Sequence, residues 1–415
     1  MALPSSLYQH RHGAAALTLR RPDGTVLADT EVVVRQVRHA FTFANIGFDF
    51  VALANGEDPG GEAGAEPLVD LWLDVFNTAT LPFYWADFEP VRGRPGTARL
   101  LATARWFRER GVALKGHPLL WHTLSPDWLR DLPDEEVESV VRDRVRREVA
   151  SFSGLVQTWD AINEAVIMPV FDNEPVQNAV TGLCRRIGRI ATVRLAFDEA
   201  RRGDAGVRLV LNDFDMSTAF ECLIEGVLEA GVEVDAIGLQ SHMHQGYWGE
   251  ERTLAVLDRF ARYGLPLHLT ETTLLSGDLM PPEIEDLNDH QVTSWPSTPE
   301  GEERQADEVV RHYRTLLSHP SVEAVTYWGL SDRGAWLGAP AGLVREDGSP
   351  KPAYDALRHL VKDEWWLSPT RLRTDHAGRV AVHGWTGGYA VDAAGTGTAS
   401  FVLDQGCRNV DVTLP

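Results

Sequence analysis

The chain has 415 residues, 44% of them hydrophobic, and no low-complexity tract, enough to bury a large core in one big domain with small additions. Lys and Arg total 39 against 60 Asp and Glu, and the resulting net charge of −21 opposes nucleic acid and anionic lipid and favours a neutral or cationic partner. No apolar run is long enough to cross a bilayer, and the opening "MALPSSLYQHRHGAAALTL" has no basic n-region ahead of a long apolar stretch. The expectation is therefore a cytoplasmic protein, or a secreted one whose signal has been trimmed. Cys184, Cys222 and Cys407 lie far apart and fit neither a disulfide framework nor a zinc-binding spacing, so they read as core or incidental thiols.

In chain order, residues 14 to 38 show two alternating runs around a "PDG" turn, which predicts a hairpin. Strand-like runs then alternate with helical periodicity: "AFTFANI", "FNTATLPF", "ALKGHPLLW", "QTWDAIN", "RLVLND", "AIGLQSH", "LPLHLTE" and "AVTYWGL". Segments such as "LLATARWFRERG" and "TLAVLDRFARYG" between them carry apolar residues at helical spacing. Eight strands alternating with helices predict an α/β fold, a (β/α)8 TIM barrel. From about residue 368 the tail returns to short strands divided by Gly- and Asp-rich turns. The expected organisation is an N-terminal β segment (1–38), a catalytic barrel (39–365) and a C-terminal β-rich segment (366–415), the two ends forming a small accessory β-module.

Two of the strands end in a carboxylate. "QTWDAINEAV" runs apolar into Asn163 and Glu164, and "LPLHLTETTLLSG" ends its apolar run at Glu271. Taken singly, each reads equally well as the first solvated residue after a buried strand. In a barrel, however, active sites sit where strands end, so Glu164 after the fourth strand and Glu271 after the seventh face one mouth. A carboxyl pair across a sugar-sized gap is what glycosidic bond cleavage requires, one protonated and one ionised.

With these motifs the chain resembles the glycoside hydrolase family 10 xylanases. "WDAINEA" is similar to that family's acid/base segment and "LTET" to its nucleophile segment. "KGHPLLWH", "LQSHMH" and "YWGLSDRGAW" are similar to its third, sixth and eighth strands, and "GLVREDGSPKPAYDAL" to the stretch before its last helix. The likeness runs in order over about residues 39 to 362. It implies a retaining β-glycosidase working by double displacement, with Glu164 as general acid/base, Glu271 as nucleophile, a carbohydrate or glycoside substrate, and no cofactor or metal. Asn163, beside the acid, can donate to a sugar 2-hydroxyl, and His242 is placed to hydrogen-bond the nucleophile, with Gln240 two residues earlier on the same strand face. His117, Trp121, Trp328 and Trp336 are implied as walls of the subsite that holds the cleaved sugar.

Other readings compete with these roles. Trp159 and Trp106 read as core, since strand and helix interiors bury aromatics routinely. "HMH" at 242 to 244 puts two imidazoles on one strand face, which invites a metal, yet the metal-dependent barrel hydrolases carry an HxH on the first strand, and here that strand is "HAFTFANI" with only His39 before it. A carbohydrate-binding barrel without turnover is a further alternative, disfavoured because both glutamates are present. One departure bears on specificity. Where family xylanases carry Glu, Asn and Lys after the second strand, this chain has Thr80, Leu81 and Tyr84, so the glycone pocket is expected to favour xylo-oligosaccharides, other short β-oligosaccharides or small glycosides over polymer. The insertion after strand seven is expected to reshape the cleft.

Overall fold

The N-terminal segment supplies two strands, β1 (His12–Arg20) and β2 (Glu31–His39), each burying alternate residues as a one-faced strand should. The chain then enters a run of parallel strands that are buried on nearly every residue, as strands covered on both faces must be. These are β3 (Thr42–Ile46), β4 (Thr78–Pro82), β5 (Ala113–His117), β6 (Thr158–Asn163), β7 (Arg208–Asp213) and β8 (Ala236–Leu239). The two-residue β9 (His242–Met243), β10 (Leu267–Leu274) and β11 (Val322–Tyr327) follow. Each of the eight long strands pairs in parallel with the next, and β11 pairs back to β3, which closes the barrel. All eight match the runs read from the sequence. The architecture comes from a computed structural model, which describes residues 6–57, 66–171 and 179–415.

Helices between the strands pack their apolar stripes on the outside of the barrel. The 18-residue helix Asp134–Ser151 buries Val137, Val141, Val145 and Val149 at helical spacing, and three acidic residues open its first turn. Trp159 is fully buried against Phe83 and Phe152, and Trp106 stacks on Phe50, so both are packing residues. Cys184 is buried and Cys222 exposed, both as free thiols; the Cys407 side chain lies outside the described residues. Among the described residues no helix is long and apolar enough to cross a membrane.

The tail forms β12 (Thr370–Arg373), β13 (Arg379–Trp385), β14 (Gly387–Ala393), β15 (Thr398–Leu403) and β16 (Gly406–Thr413). With β1 and β2 they make two sheets, ordered β13-β1-β16 and β12-β2-β14-β15. The expected hairpin is corrected here. The "PDG" turn closes only a single bridge, Arg20 to Val26, and β1 and β2 then lie in opposite sheets. Each strand has one apolar face, and placing them in facing sheets lets Leu17, Leu19, Val32 and Val34 bury in one common core with Val391, Phe401 and Leu403. A flat hairpin would have left that shared face uncovered.

The module caps the end of the barrel where the strands begin. Arg11 donates to the carbonyls of Leu317, His319 and Val322 at 3.1, 2.8 and 2.5 Å, and His39 Nε2 lies 2.9 Å from the Val361 carbonyl. Trp365 is fully buried in the seam, stacked on Phe43 and in ring contact with Tyr8 and Trp385. The opposite end, where strands finish, is left open.

Candidate active site

On a regular strand, neighbouring side chains point to opposite faces, so Asn163 and Glu164 should diverge. They do not. Glu164 sits just past β6 with φ at 58°, a left-handed backbone that a non-glycine residue adopts only where its surroundings hold it there. Its own N–H donates to the Asn212 carbonyl at 2.9 Å, and its carbonyl accepts from Met168. The turn brings the carboxylate back beside its neighbour, so that Asn163 Nδ2 donates to Glu164 Oε1 at 3.0 Å. Gln240 Nε2 donates to the same oxygen at 3.1 Å, and the indole of Trp121 donates to Oε2 at 2.8 Å.

Glu271, in the middle of β10, is held by a different set. Asn212 Nδ2 donates to its Oε1 at 3.0 Å, and His242 Nε2 lies 3.1 Å from its Oε2. The Asn212 amide is fixed at its other end by Thr270, whose hydroxyl donates to Oδ1 at 2.6 Å. Asn212 and Gln240 both donate also to Asn163 Oδ1, at 2.7 and 3.1 Å. One amide network from three strands therefore runs between the two carboxylates, with every side chain in it buried or nearly so.

The surroundings split their ionisation. Burial pushes the Glu164 carboxyl up to about 8, with help from the negative fields of Glu271 and Asp213, and the hydrogen bonds from Trp121 and Gln240 only partly offset this. Glu271 is also buried, but the fields of His117 and His242 and the hydrogen bond from His242 outweigh burial and hold it below the usual carboxylate range. One site thus presents a protonated and an ionised carboxyl at neutral pH.

Aromatic rings line the mouth. Trp328 meets Phe48, His117 and His242 edge-on with centroids 5.7, 5.1 and 6.2 Å away, and the exposed Trp336 lies 4.9 Å from His242. Tyr84 meets His117, Trp121 and Phe48 at 5.6 to 5.9 Å. His117 Nδ1 is 2.8 Å from Asp160 Oδ2, and Lys115 Nζ forms an ion pair with Asp160 Oδ1 at 2.9 Å. Asp160 is buried, yet Lys115 and the hydrogen bond from His117 outweigh that burial and hold its carboxyl below the usual carboxylate range. Its carboxylate accepts the Nδ1 proton of His117, so Nε2 is the ring nitrogen outside that bond.

A sequence model of glycosyl hydrolase family 10 matches residues 84–360, two thirds of the chain. The chain belongs to that family. It is an O-glycosyl hydrolase, and its substrate is a carbohydrate. Endo-1,4-beta-xylanase B of Thermotoga neapolitana is 26% identical over 76% of this chain and 89% of its own length. The anti-sigma-I factor RsgI6 of Acetivibrio thermocellus is 25% identical over 72% of this chain, which spans 35% of that longer protein. Among solved structures, a family 10 glycoside hydrolase from Paenibacillus barcinonensis superposes with a TM-score of 0.63 at 24% identity, covering 78% of this chain and 96% of that one.

The structure brings Glu164, Glu271, Asn163, His117, Trp121, Gln240, His242, Trp328, Trp336 and Tyr84 to one end of the family 10 barrel. The Asn163 amide gives one of its hydrogens to Glu164, leaving the other for a ligand. Leu81 requires a correction. It is fully buried in the main core and so does not present an apolar wall to a sugar. Strand alternation explains this, since Thr78 lines the barrel interior and Leu81 falls on the opposite, helix-facing parity. Thr80 shares the inner parity, with its hydroxyl buried and unpartnered, and Tyr84 stands at the mouth. Asn212, Asp160 and Lys115 were not anticipated. "RLVLND" ends in Asn-Asp much as "TWDAIN" runs into Asn-Glu, and that parallel was the available signal for Asn212. Trp295 of the loop after β10 reaches His244, whose imidazole burial pushes down to about 3. No group of three or more His, Cys, Asp or Glu could hold a metal ion among the described residues.

Proposed function

We propose that the protein cleaves β-linked xylose-type oligosaccharides or small β-glycosides by a retaining double displacement, with Glu164 as acid/base and Glu271 as nucleophile. The observation that carries this reading is the opposed ionisation of two carboxyls tied into one network. In the first step a Glu271 oxygen attacks the anomeric carbon, the bond to the leaving oxygen breaks, and the Glu164 proton goes to that oxygen. In the second, ionised Glu164 takes a proton from water, the water oxygen displaces Glu271 from the anomeric carbon, and both carboxyls return to their starting states. The amides of Asn212 and Gln240 need not move between steps, so the pair is oriented before substrate arrives.

The similarity to proteins named endo-1,4-beta-xylanases favours a xylose-type sugar. The second-strand loop favours short substrates. The polar trio expected to grip upstream sugars is replaced by a buried Thr80, a core Leu81 and a Tyr84 ring beside His117. We expect kcat/KM on soluble xylan to be at least about tenfold below that on the best short substrate, about 1.4 kcal/mol in transition-state binding. Product anomers followed by NMR test the mechanism, because retention releases the β-anomer first. Initial release of the α-anomer would overturn double displacement, and efficient cleavage inside long xylan would overturn the specificity.

A further inference from the structure

The lower end of the barrel, away from the glutamates, encloses a cavity of about 380 Å³ between the strand starts and the accessory module. Its volume falls in the range of small-molecule sites. Its charge runs against that of the whole protein. Among its lining groups are four permanent cations, Arg11, Arg38, Lys115 and Arg208, and one carboxylate, Glu323, in a chain whose acids outnumber its bases by 21.

Local partners do not cancel this excess. Glu323 pairs with Arg208 at 3.0 Å, and Asp160 behind the wall offsets Lys115. Arg11 spends its donors on carbonyls, which carry no net charge, and Arg38 is exposed with no ion pair among the described residues. Two positive charges therefore remain over a concave, partly buried surface, where a field is focused rather than screened. One imidazole nitrogen adds to this: His268 is almost completely buried, and its Nε2 has no hydrogen-bond partner among the described residues. Burial first, then Lys115 and Arg208, drives the His268 pKa down to about 3, so a neutral ring faces this cavity with a polar atom unsatisfied.

A lower barrel end usually serves stability, and a purely structural cluster of charges pairs its cations. Here unpaired cations are kept together at a cost in mutual repulsion, next to an orphaned imidazole. We propose that this cavity binds a phosphate group, either free phosphate or the phosphate of a small sugar phosphate. Arginine forks match phosphate oxygens, and the remaining volume exceeds what a bare phosphate fills. Arg38 and Arg208 at the open side would make the first contacts, and a neutral His268 Nε2–H would donate from within.

Calorimetric titration of the full chain with inorganic phosphate and with glucose 6-phosphate, at constant ionic strength set with sodium chloride, tests this. Saturable binding is expected for at least one of them, weakened at least about tenfold in Arg38→Ala/Arg208→Ala. The single variant Arg38→Ala removes an exposed group with no ion pair or side-chain hydrogen bond among the described residues, so it should fold normally, keep hydrolytic activity and still weaken binding. In ¹⁵N NMR the His268 imidazole should titrate at higher pH with ligand present, since a bound anion favours its cation. Tighter binding of glucose 6-phosphate would point to a phosphorylated metabolite, and equal binding to free phosphate. Absence of saturable binding by both, or affinity unchanged in the variants, would overturn the proposal.

Discussion

Trp121→Phe isolates what one hydrogen bond does to the proposed acid. The indole N–H donates to Glu164 Oε2 at 2.8 Å, and among the influences that lower the Glu164 pKa it is the largest. Phenylalanine keeps a ring beside Tyr84 and removes that donor alone. A hydrogen bond to a charged group contributes about 1.5 to 3 kcal/mol. Trp121 is only half-buried, and Asn163 and Gln240 remain on Oε1, so water and the amides recover part of the loss. A net loss of about 1.4 kcal/mol from the ionised form corresponds to about one pKa unit. Activity needs the protonated acid and is lost as pH rises through its folded-state pKa, which burial has already pushed up to about 8. The basic limb of kcat/KM should therefore move upward by about one unit in the variant, while the acidic limb, set by Glu271 below the usual carboxylate range, stays in place. The assay is kcat/KM over about pH 4 to 10 on an oligosaccharide, whose poor leaving group makes protonation matter. A basic limb that stays fixed or moves down would show that Trp121 does not stabilise the Glu164 anion, or that another group is the acid.

Three further outcomes follow from the packing and charge of the same region. In Glu271→Gln, carbon-detected NMR should find the Glu164 pKa lowered yet still well above 4.5, because burial outranks the Glu271 field among its causes; a fall to the ordinary carboxylate value would reverse that ranking. Lys351→Met should destabilise the fold by about 3 to 5 kcal/mol in urea unfolding, since fully buried Nζ holds Asp332, Ser276 and the Gly342 carbonyl at 2.7 to 2.9 Å and its loss strands Asp332. Gly116→Ala places a Cβ 2.2 Å from the Trp159 ring, one residue before His117, and should cost at least about 1 to 3 kcal/mol along with activity; a neutral effect would mean that the β5–β6 packing yields readily.

What could be read from the sequence divides along the range of the interactions involved. The eight barrel strands were legible because a parallel strand covered on both faces is a short apolar run, a property of five or six consecutive residues. Glu164 could be placed because it follows such a run; Glu271 was expected at a strand end, whereas β10 continues past it to Leu274. Partners were harder. That Asn212 would donate to both Asn163 and Glu271 depends on contacts spanning 49 and 59 residues, which no local pattern records. The hairpin reading of residues 14 to 38 failed for the same reason. The alternation of β1 and β2 states only that each has one buried face, and the strands that pair edge to edge with them lie more than 340 residues away in β13, β14 and β16.

Leu81 exposes a subtler limit. Aligning it with a sugar-binding position treats a strand end as a list of side chains, whereas the pleat sends alternate ones to the barrel interior and to the helix layer. A residue near the mouth reaches the cleft only if its parity allows or its backbone departs from the strand. Glu164 takes the second route through its positive φ, and Leu81 takes neither. This sharpens the specificity argument. On the proposed function, Tyr84, whose ring contacts His117 and Trp121, bounds the glycone side of the cleft in place of an apolar patch. Tyr84→Ala should then open the upstream side and raise kcat/KM on soluble xylan relative to the short substrate, with the core around Leu81 undisturbed. If the ratio stays fixed while both rates fall together, Tyr84 serves to hold His117 and Trp121 in place, and the proposed restriction to short substrates must arise elsewhere, with the loop that brings Trp295 to His244 as the next element to shorten.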